Sequence, residues 1–172
     1  MGDGYLAVIG LGANLGDTTT TIEAAMEAIG ELPGVTLVRR SSLWRTDPVG
    51  GPPQPSYCNA ALAVHTGLSP IQLMRELLGI EGRFGRTRGA RNAPRTLDLD
   101  LLWIDGEAIR SSDVAGPTLE VPHPRLAERA FALVPLLEVA PDARDPATGK
   151  RYADVLAELG REGVLPLDSS RA

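Results

Sequence analysis

Apolar and polar positions along the chain switch between two periods, and the switches divide it into elements. "YLAVIGLG" (residues 5–12) is a continuous apolar run rich in β-formers, which predicts a strand buried on both faces. In the next segment Ile22, Ala25, Met26, Ile29 and Leu32 recur at helical spacing, with Thr20 and Glu23 as a capping box and Gly34 as the stop. Residues 35–46 and 56–66 read as two more strands, joined by the Pro- and Gly-rich "DPVGGPPQP". Ser69 as N-cap, Pro70 at the first helical position and Gln72 closing a capping box predict a second helix.

Within "RTLDLDLLWIDG" (95–106) residues 97–101 alternate, so a strand here puts Leu97, Leu99 and Leu101 on one face and Asp98 and Asp100 on the other. "DG" at 105–106 predicts a two-residue hairpin returning through 107–110. Apart from that short return strand, the order is β-α-β-β-α-β. It predicts an α+β sandwich with a ferredoxin-like core and an added hairpin strand. Two C-terminal helices are expected, one over 124–139 broken near Pro135 and one over 152–160. Residues 1–160 read as a single domain and 161–172 as a flexible tail.

Composition narrows the classes. A hydrophobic share of 43% over 172 residues suits one real core, and a net charge of −5 argues against a general nucleic-acid binder. The basic residues are nonetheless unevenly placed. All but Lys150 are arginines, and Arg83, Arg86, Arg88, Arg91 and Arg95 follow one another with no acid between them, a local anion site in an acidic chain. A single cysteine, Cys58, allows no intrachain disulfide, and the apolar runs fall far short of the roughly 20 residues that span a membrane. A cytoplasmic monomer without nucleic-acid or membrane partners is the expectation.

Nucleotide signatures of the usual kinds are missing. In "GLGANLG" Leu15 stands where a dinucleotide fingerprint needs its third glycine, and the lone Lys150 is far from any phosphate-binding loop. This segment reads as a tight turn. The Asp98 and Asp100 pair carries more. An isolated D-x-D can be the solvent face of a half-buried strand, but Asp is disfavoured in strand interiors and two on one face repel unless a cation lies between them. Hard carboxylate oxygens suit magnesium, which completes its shell with water and phosphate. The upstream arginines, interspersed with Gly82, Gly85 and Gly89, can fold over a polyphosphate from the other side. Tyr57 and Asn59 share a strand face, where a ring to stack and a carboxamide to donate and accept suit a flat heterocycle. Tyr57 as core and Asn59 as a turn residue is the plainer alternative.

"GLGANLGD", "TDPVGGPPQPSYCNAAL", "IEGRFGRTRGARNAPRTLDLDLL" and "VPHPRLAERAFALVPLLEVAP", in this order and spacing, resemble the 6-hydroxymethyl-7,8-dihydropterin pyrophosphokinases of folate synthesis, over about residues 5–160. The resemblance implies a ferredoxin-like core, ATP as co-substrate, two magnesium ions, and transfer of the β,γ-diphosphate of ATP to the hydroxymethyl group of a reduced pterin alcohol with release of AMP. It makes Asp98 and Asp100 the metal ligands, Arg86 and Arg95 catalytic arginines, and Arg88 a further loop arginine. It places Glu81, His123 and Arg129 against ATP. Tyr57 and Phe131 would sandwich the pterin, with Asn59 and groups near Thr46 and Val49 completing its hydrogen bonds. Glu81 closing a helix end and His123 as a turn residue between prolines remain alternatives.

The family pattern Arg-Trp-Gly-Pro-Arg-Thr is here Arg91-Asn92-Ala93-Pro94-Arg95-Thr96, so the bulky aromatic of the loop is missing. Residues 82–95 are expected to form a lid that closes on bound polyphosphate. Two rivals stand beside this reading. One is another magnesium-dependent phosphotransferase on the same scaffold; the other is a non-catalytic ferredoxin-like module that binds RNA or a small molecule. The acidic charge and the carboxylate pair on the sheet weigh against the RNA binder.

Overall fold

Strand β1 (Tyr5–Ala13) carries the sheet, because Ala7, Val8 and Ile9 are fully buried and demand cover on both faces. The computed structural model describes residues 4–13, 18–46, 57–84, 97–111 and 119–167. Helix α1 (Thr18–Gly30) buries the expected stripe of Ile22, Ala25, Met26 and Ile29. It starts at Thr18, so Thr20 lies inside its first turn and not at the cap; a run of four threonines cannot place the start locally.

The strand expected over 35–46 is two strands, β2 (Val35–Arg40) and β3 (Trp44–Thr46), both antiparallel to β4 (Tyr57–Thr66). The register slips inside β2 between Leu37 and Arg39, and Ser41 holds the chain to β4 between β2 and β3. Its N–H donates to the Ala61 carbonyl at 2.9 Å, and its hydroxyl accepts from the Ala61 N–H at 2.8 Å. Helix α2 (Pro70–Arg83) begins as its sequence predicts. The Gln72 N–H donates to the Ser69 hydroxyl at 3.1 Å, and the Ser69 N–H donates to Gln72 Oε1 at 2.9 Å.

Strand β5 (Asp98–Ile104) pairs with β1, and Gly106 at φ 74° makes the turn that follows. The hairpin goes no further than an Ile104–Glu107 bridge. Strand β6 (Ile109–Ser111) instead pairs with β7 (Leu119–Val121) in a separate ribbon, since Leu119 and Val121 bury into the main core and offer β6 their edge. A 3-10 turn (Leu126–Glu128) and helix α3 (Ala130–Val139) follow. The break falls at Arg129 and not at Pro135, which is buried inside α3. An interior proline costs about 3 kcal/mol. Burial of Leu133, Val134, Leu136 and Val139, at about 1.5–3 kcal/mol each, outweighs it.

Helix α4 (Tyr152–Leu159) ends at Gly160, φ 86°. Residues 164–166, expected in a frayed tail, form strand β8 (Val164–Pro166) beside β3, and the Leu167 N–H donates to the Leu43 carbonyl at 3.0 Å. The sheet order is β5-β1-β4-β3-β8, with β2 also on β4. Its central order is that of the βαββαβ core. One face packs on α1 and α2 through Ile9, Leu62, Ile22 and Leu77; the other packs on α3 and α4 through Val8, Ala61, Leu102, Leu133 and Tyr152.

Ser41→Ala leaves the buried Ala61 N–H without its acceptor where β2 and β3 join. The expected outcome is a loss of about 1–3 kcal/mol, read from the urea unfolding midpoint at unchanged slope.

Candidate active site

Pairing register builds the site. Gly10 lies opposite Asp100 and Gly12 opposite Asp98 across the β1–β5 ladder, while Asn59 pairs with Gly12 on the other side. These residues share the sheet face toward α3, and the expected split of leucines from aspartates holds: Leu97, Leu99 and Leu101 are in the opposite core. Leu102 is an extra residue on β5, where the register passes from Ile9–Leu101 to Val8–Trp103. Leu102 and Trp103 therefore both face the α3 layer, and the bulge ends the carboxylate stretch with an apolar wall.

A cleft of about 570 Å³ lies over this end of the sheet. Gly10, Gly12, Thr46, Tyr57, Asn59, Asp98 and Asp100 line it from the sheet, and Arg125, Glu128, Arg129 and Phe131 from the segment leading into α3. The two glycines keep it open. A Cβ on Gly12 would stand 3.2 Å from Asn59 Oδ1, and one on Gly10 would stand 2.9 Å from Leu102 Cδ1. "GLG" is thus strand floor, as the expected strand over 5–12 had it, and the rest of the segment read as a turn, from Asn14 on, lies outside the described residues. A G-x-G in phase with a D-x-D on a partner strand is the signal that could have shown it.

Asn59 is buried, and its Nδ2 donates to the Thr46 hydroxyl at 2.8 Å, which leaves Oδ1 toward Gly12. Tyr57 is 38% exposed at the cleft edge. Phe131 stands in the first turn of α3, with the Arg129 guanidinium 5.6 Å from its ring centroid.

Glu81 and His123 are not among the residues lining the cleft. Glu81, only 4% exposed on the last turn of α2, accepts the Leu99 N–H at 2.7 Å and so holds the backbone between the two aspartates. The His123 N–H donates to the Leu102 carbonyl at 2.9 Å, and its Nδ1 accepts from the Arg125 N–H at 3.2 Å. Burial pushes the His123 pKa down, against the opposing pull of the Asp100 carboxylate. An Nδ1 that accepts a backbone N–H belongs to the same neutral imidazole. Arg86, Arg88, Arg95 and Val49, with most of the expected lid, lie outside the described residues.

Among the described residues no three of His, Cys, Asp and Glu gather as a metal cage. Two carboxylates opposite side-chain-free positions fit a hard divalent cation that completes its shell with water and ligand oxygens, as magnesium does. Cys58 is buried in the α1/α2 core with its thiol pKa pushed up to about 11, so it takes no part in the cleft.

The model of one protein family, described as 7,8-dihydro-6-hydroxymethylpterin-pyrophosphokinase (HPPK), matches residues 8–141. The chain belongs to this family. A 2-amino-4-hydroxy-6-hydroxymethyldihydropteridine pyrophosphokinase of Synechocystis is 37% identical over 94% of this chain and 80% of its own length. Its counterpart in Pseudomonas aeruginosa is 40% identical over 91% and 93%. A solved Plasmodium falciparum HPPK-DHPS chain superposes with a TM-score of 0.74 at 12% identity, over 92% of this chain and 46% of the other. That likeness shows the fold. This family member spans less than half of the fused chain, whose name carries a second component.

For this HPPK family member, Glu81→Leu strands the Leu99 N–H and is expected to lose about 1–3 kcal/mol of stability, while Glu81→Gln keeps an oxygen acceptor and most of the loss is spared. Urea unfolding of the ligand-free variants separates this from a pure nucleotide contact, for which both variants would unfold with the parent.

Proposed function

We propose that the cleft performs the family's diphosphoryl transfer: the β,γ-diphosphate of ATP passes to the hydroxymethyl group of 6-hydroxymethyl-7,8-dihydropterin, and AMP leaves. One observation carries the reading. The carboxylate pair, the Tyr57, Asn59 and Phe131 group and the Arg125 and Arg129 guanidiniums line a single cavity. The substrate hydroxyl oxygen attacks the β-phosphorus and gives up its proton to solvent, a new O–P bond forms, and the bond from that phosphorus to the α,β-bridging oxygen breaks, its electron pair leaving on the phosphate of AMP.

Asp98 and Asp100 would hold two magnesium ions, whose charge offsets that of the phosphates. Tyr57 and Phe131 stack on the ring from opposite walls. Asn59, steadied by Thr46, offers Oδ1 to a ring N–H, and backbone near Val49 completes the edge. Arg129 supplies positive charge toward the phosphates, and Arg86, Arg88 and Arg95 close on them from the loop, strengthening their hold as charge shifts in the transition state. Glu81 steadies the metal-binding backbone from behind, and neutral His123 is a donor to nucleotide oxygens. No described helix is long and apolar enough to cross a membrane, and a monomer acting in the cytoplasm is part of this proposal.

The test is to combine protein, ATP, magnesium and the reduced pterin alcohol and identify the nucleotide product. AMP is expected in step with pterin diphosphate; stoichiometric ADP overturns the reading. Asp98→Asn and Asp100→Asn are each expected to lower turnover by roughly a hundredfold or more with the far-ultraviolet dichroism unchanged.

Tyr57→Ala and Phe131→Ala are expected to weaken pterin binding by about 1 kcal/mol or more, with ATP affinity within about twofold of the parent. Calorimetric titration with each ligand checks this, and equal losses for both would contradict a separate ring slot.

A further inference from the structure

Glu138, near the C-terminal end of α3, gathers three hydrogen bonds on one carboxylate. Its Oε1 accepts from the Ser42 N–H and from Trp44 Nε1–H, each at 2.9 Å, and its Oε2 accepts from the Ser42 hydroxyl at 2.9 Å. Bonds to a charged acceptor are the stronger kind, and here three of them converge from a different element.

Both ends of this tie lead to the cleft. Phe131 precedes Glu138 by seven residues, about two helical turns, so the two share a face of α3 roughly 10 Å apart. Ser42, Trp44 and Thr46 follow at two-residue spacing toward the cleft, and Thr46 accepts from Asn59 Nδ2. Between Phe131 and Glu138 stands Pro135, which has no N–H to give the Phe131 carbonyl. The first turn of α3 is thus held less by its own helix than an ordinary turn would be. The Arg161 guanidinium, 5.4 Å from the Trp44 ring centroid, and strand β8 brace the same strand from its outer side.

We infer that Glu138 is a positioning residue for the ring slot: by tying α3 to the Ser42–Thr46 segment it sets the spacing between Phe131 and the Thr46–Asn59 pair, and with it the affinity for the flat ring. This rests on the proposed function, since it assigns those residues to the ring. Glu138 touches neither ligand and leaves the nucleotide side unchanged.

The experiment uses the full chain and the variants Glu138→Ala, Glu138→Gln and Trp44→Phe, with Ser69→Ala as a destabilised control remote from the cleft. KM for the pterin alcohol is expected to rise roughly five- to tenfold in Glu138→Ala, roughly threefold in Trp44→Phe and less than in Glu138→Ala for Glu138→Gln, which keeps an oxygen acceptor, with KM for ATP within about twofold. The double variant should be no worse than Glu138→Ala, because the removed donor has lost its acceptor already. Ser69→Ala should shift neither constant. The chain has two tryptophans, and the Trp103 indole donates to the Arg144 carbonyl at 2.8 Å, so nitrogen-resolved NMR gives an internal reference. In Glu138→Ala the Trp44 indole resonance should move while that of Trp103 stays. A pterin KM within about twofold of the parent, or equal rises for both substrates, overturns the inference. If Glu138→Ala does not fold, Trp44→Phe decides by the same criterion. A parent that makes no AMP from ATP and the pterin alcohol refutes the proposed function instead, before any variant is compared.

Discussion

The site depends on one strand register. Opposing Gly12 and Gly10 to Asp98 and Asp100 puts two carboxylates beside two positions with no side chain, where a Cβ would meet Asn59 or Leu102. A slip of one residue would turn the aspartates into the α1/α2 core and bring Leu97, Leu99 and Leu101 into the cleft. The cost of burying both carboxylates unpaired is what makes the register unambiguous. Glu81 reinforces it from outside by accepting the Leu99 N–H on the edge of β5.

The second requirement is an incomplete cover. Helix α3 packs on Val8, Ala61, Ala63 and Leu102 but starts only at Ala130, so among the described residues the end of the sheet carrying Gly12, Asn59 and Asp98 is left uncovered beneath Phe131 and Arg129. The cleft is therefore a boundary between a rigid sheet floor and a wall formed by one helix start and the segment before it. A floor of paired strands holds the carboxylates and Asn59 at fixed spacing.

Polar ties then fix how the wall stands on the floor. Ser41 holds the chain to β4 between β2 and β3, Asn59 steadies Thr46, and Glu138 binds α3 to Ser42 and Trp44. Each joins residues remote in sequence and adds a side-chain tie to what the ladders provide. The family match over residues 8–141 takes in both the sheet floor with its carboxylates and the aromatic edge of the cleft.

Periodicity alone determined much of this protein. The buried run of β1, the apolar stripe of α1, the Ser69 cap of α2 and the two-faced Asp-Leu strand all follow from local rules, because burial and capping depend on neighbours two to four residues away. Together they specified the βαββαβ order, and the four motif segments pointed to the family. What local spacing could not decide were the features settled by partners far along the chain. The split of β2 from β3 depends on Ala61, the departure of β6 on the β7 edge, the survival of α3 through Pro135 on the core beneath it, and the strand at 164–166 on the free edge of β3. The same holds in the site. Asp98 and Asp100 announced themselves by alternation, but that Gly10 and Gly12 are their floor, that Glu81 grips the backbone between them, and that Glu138 ties α3 to Ser42 and Trp44 required the pairing of distant segments, for these are contacts whose energy exists only once the sheet has closed.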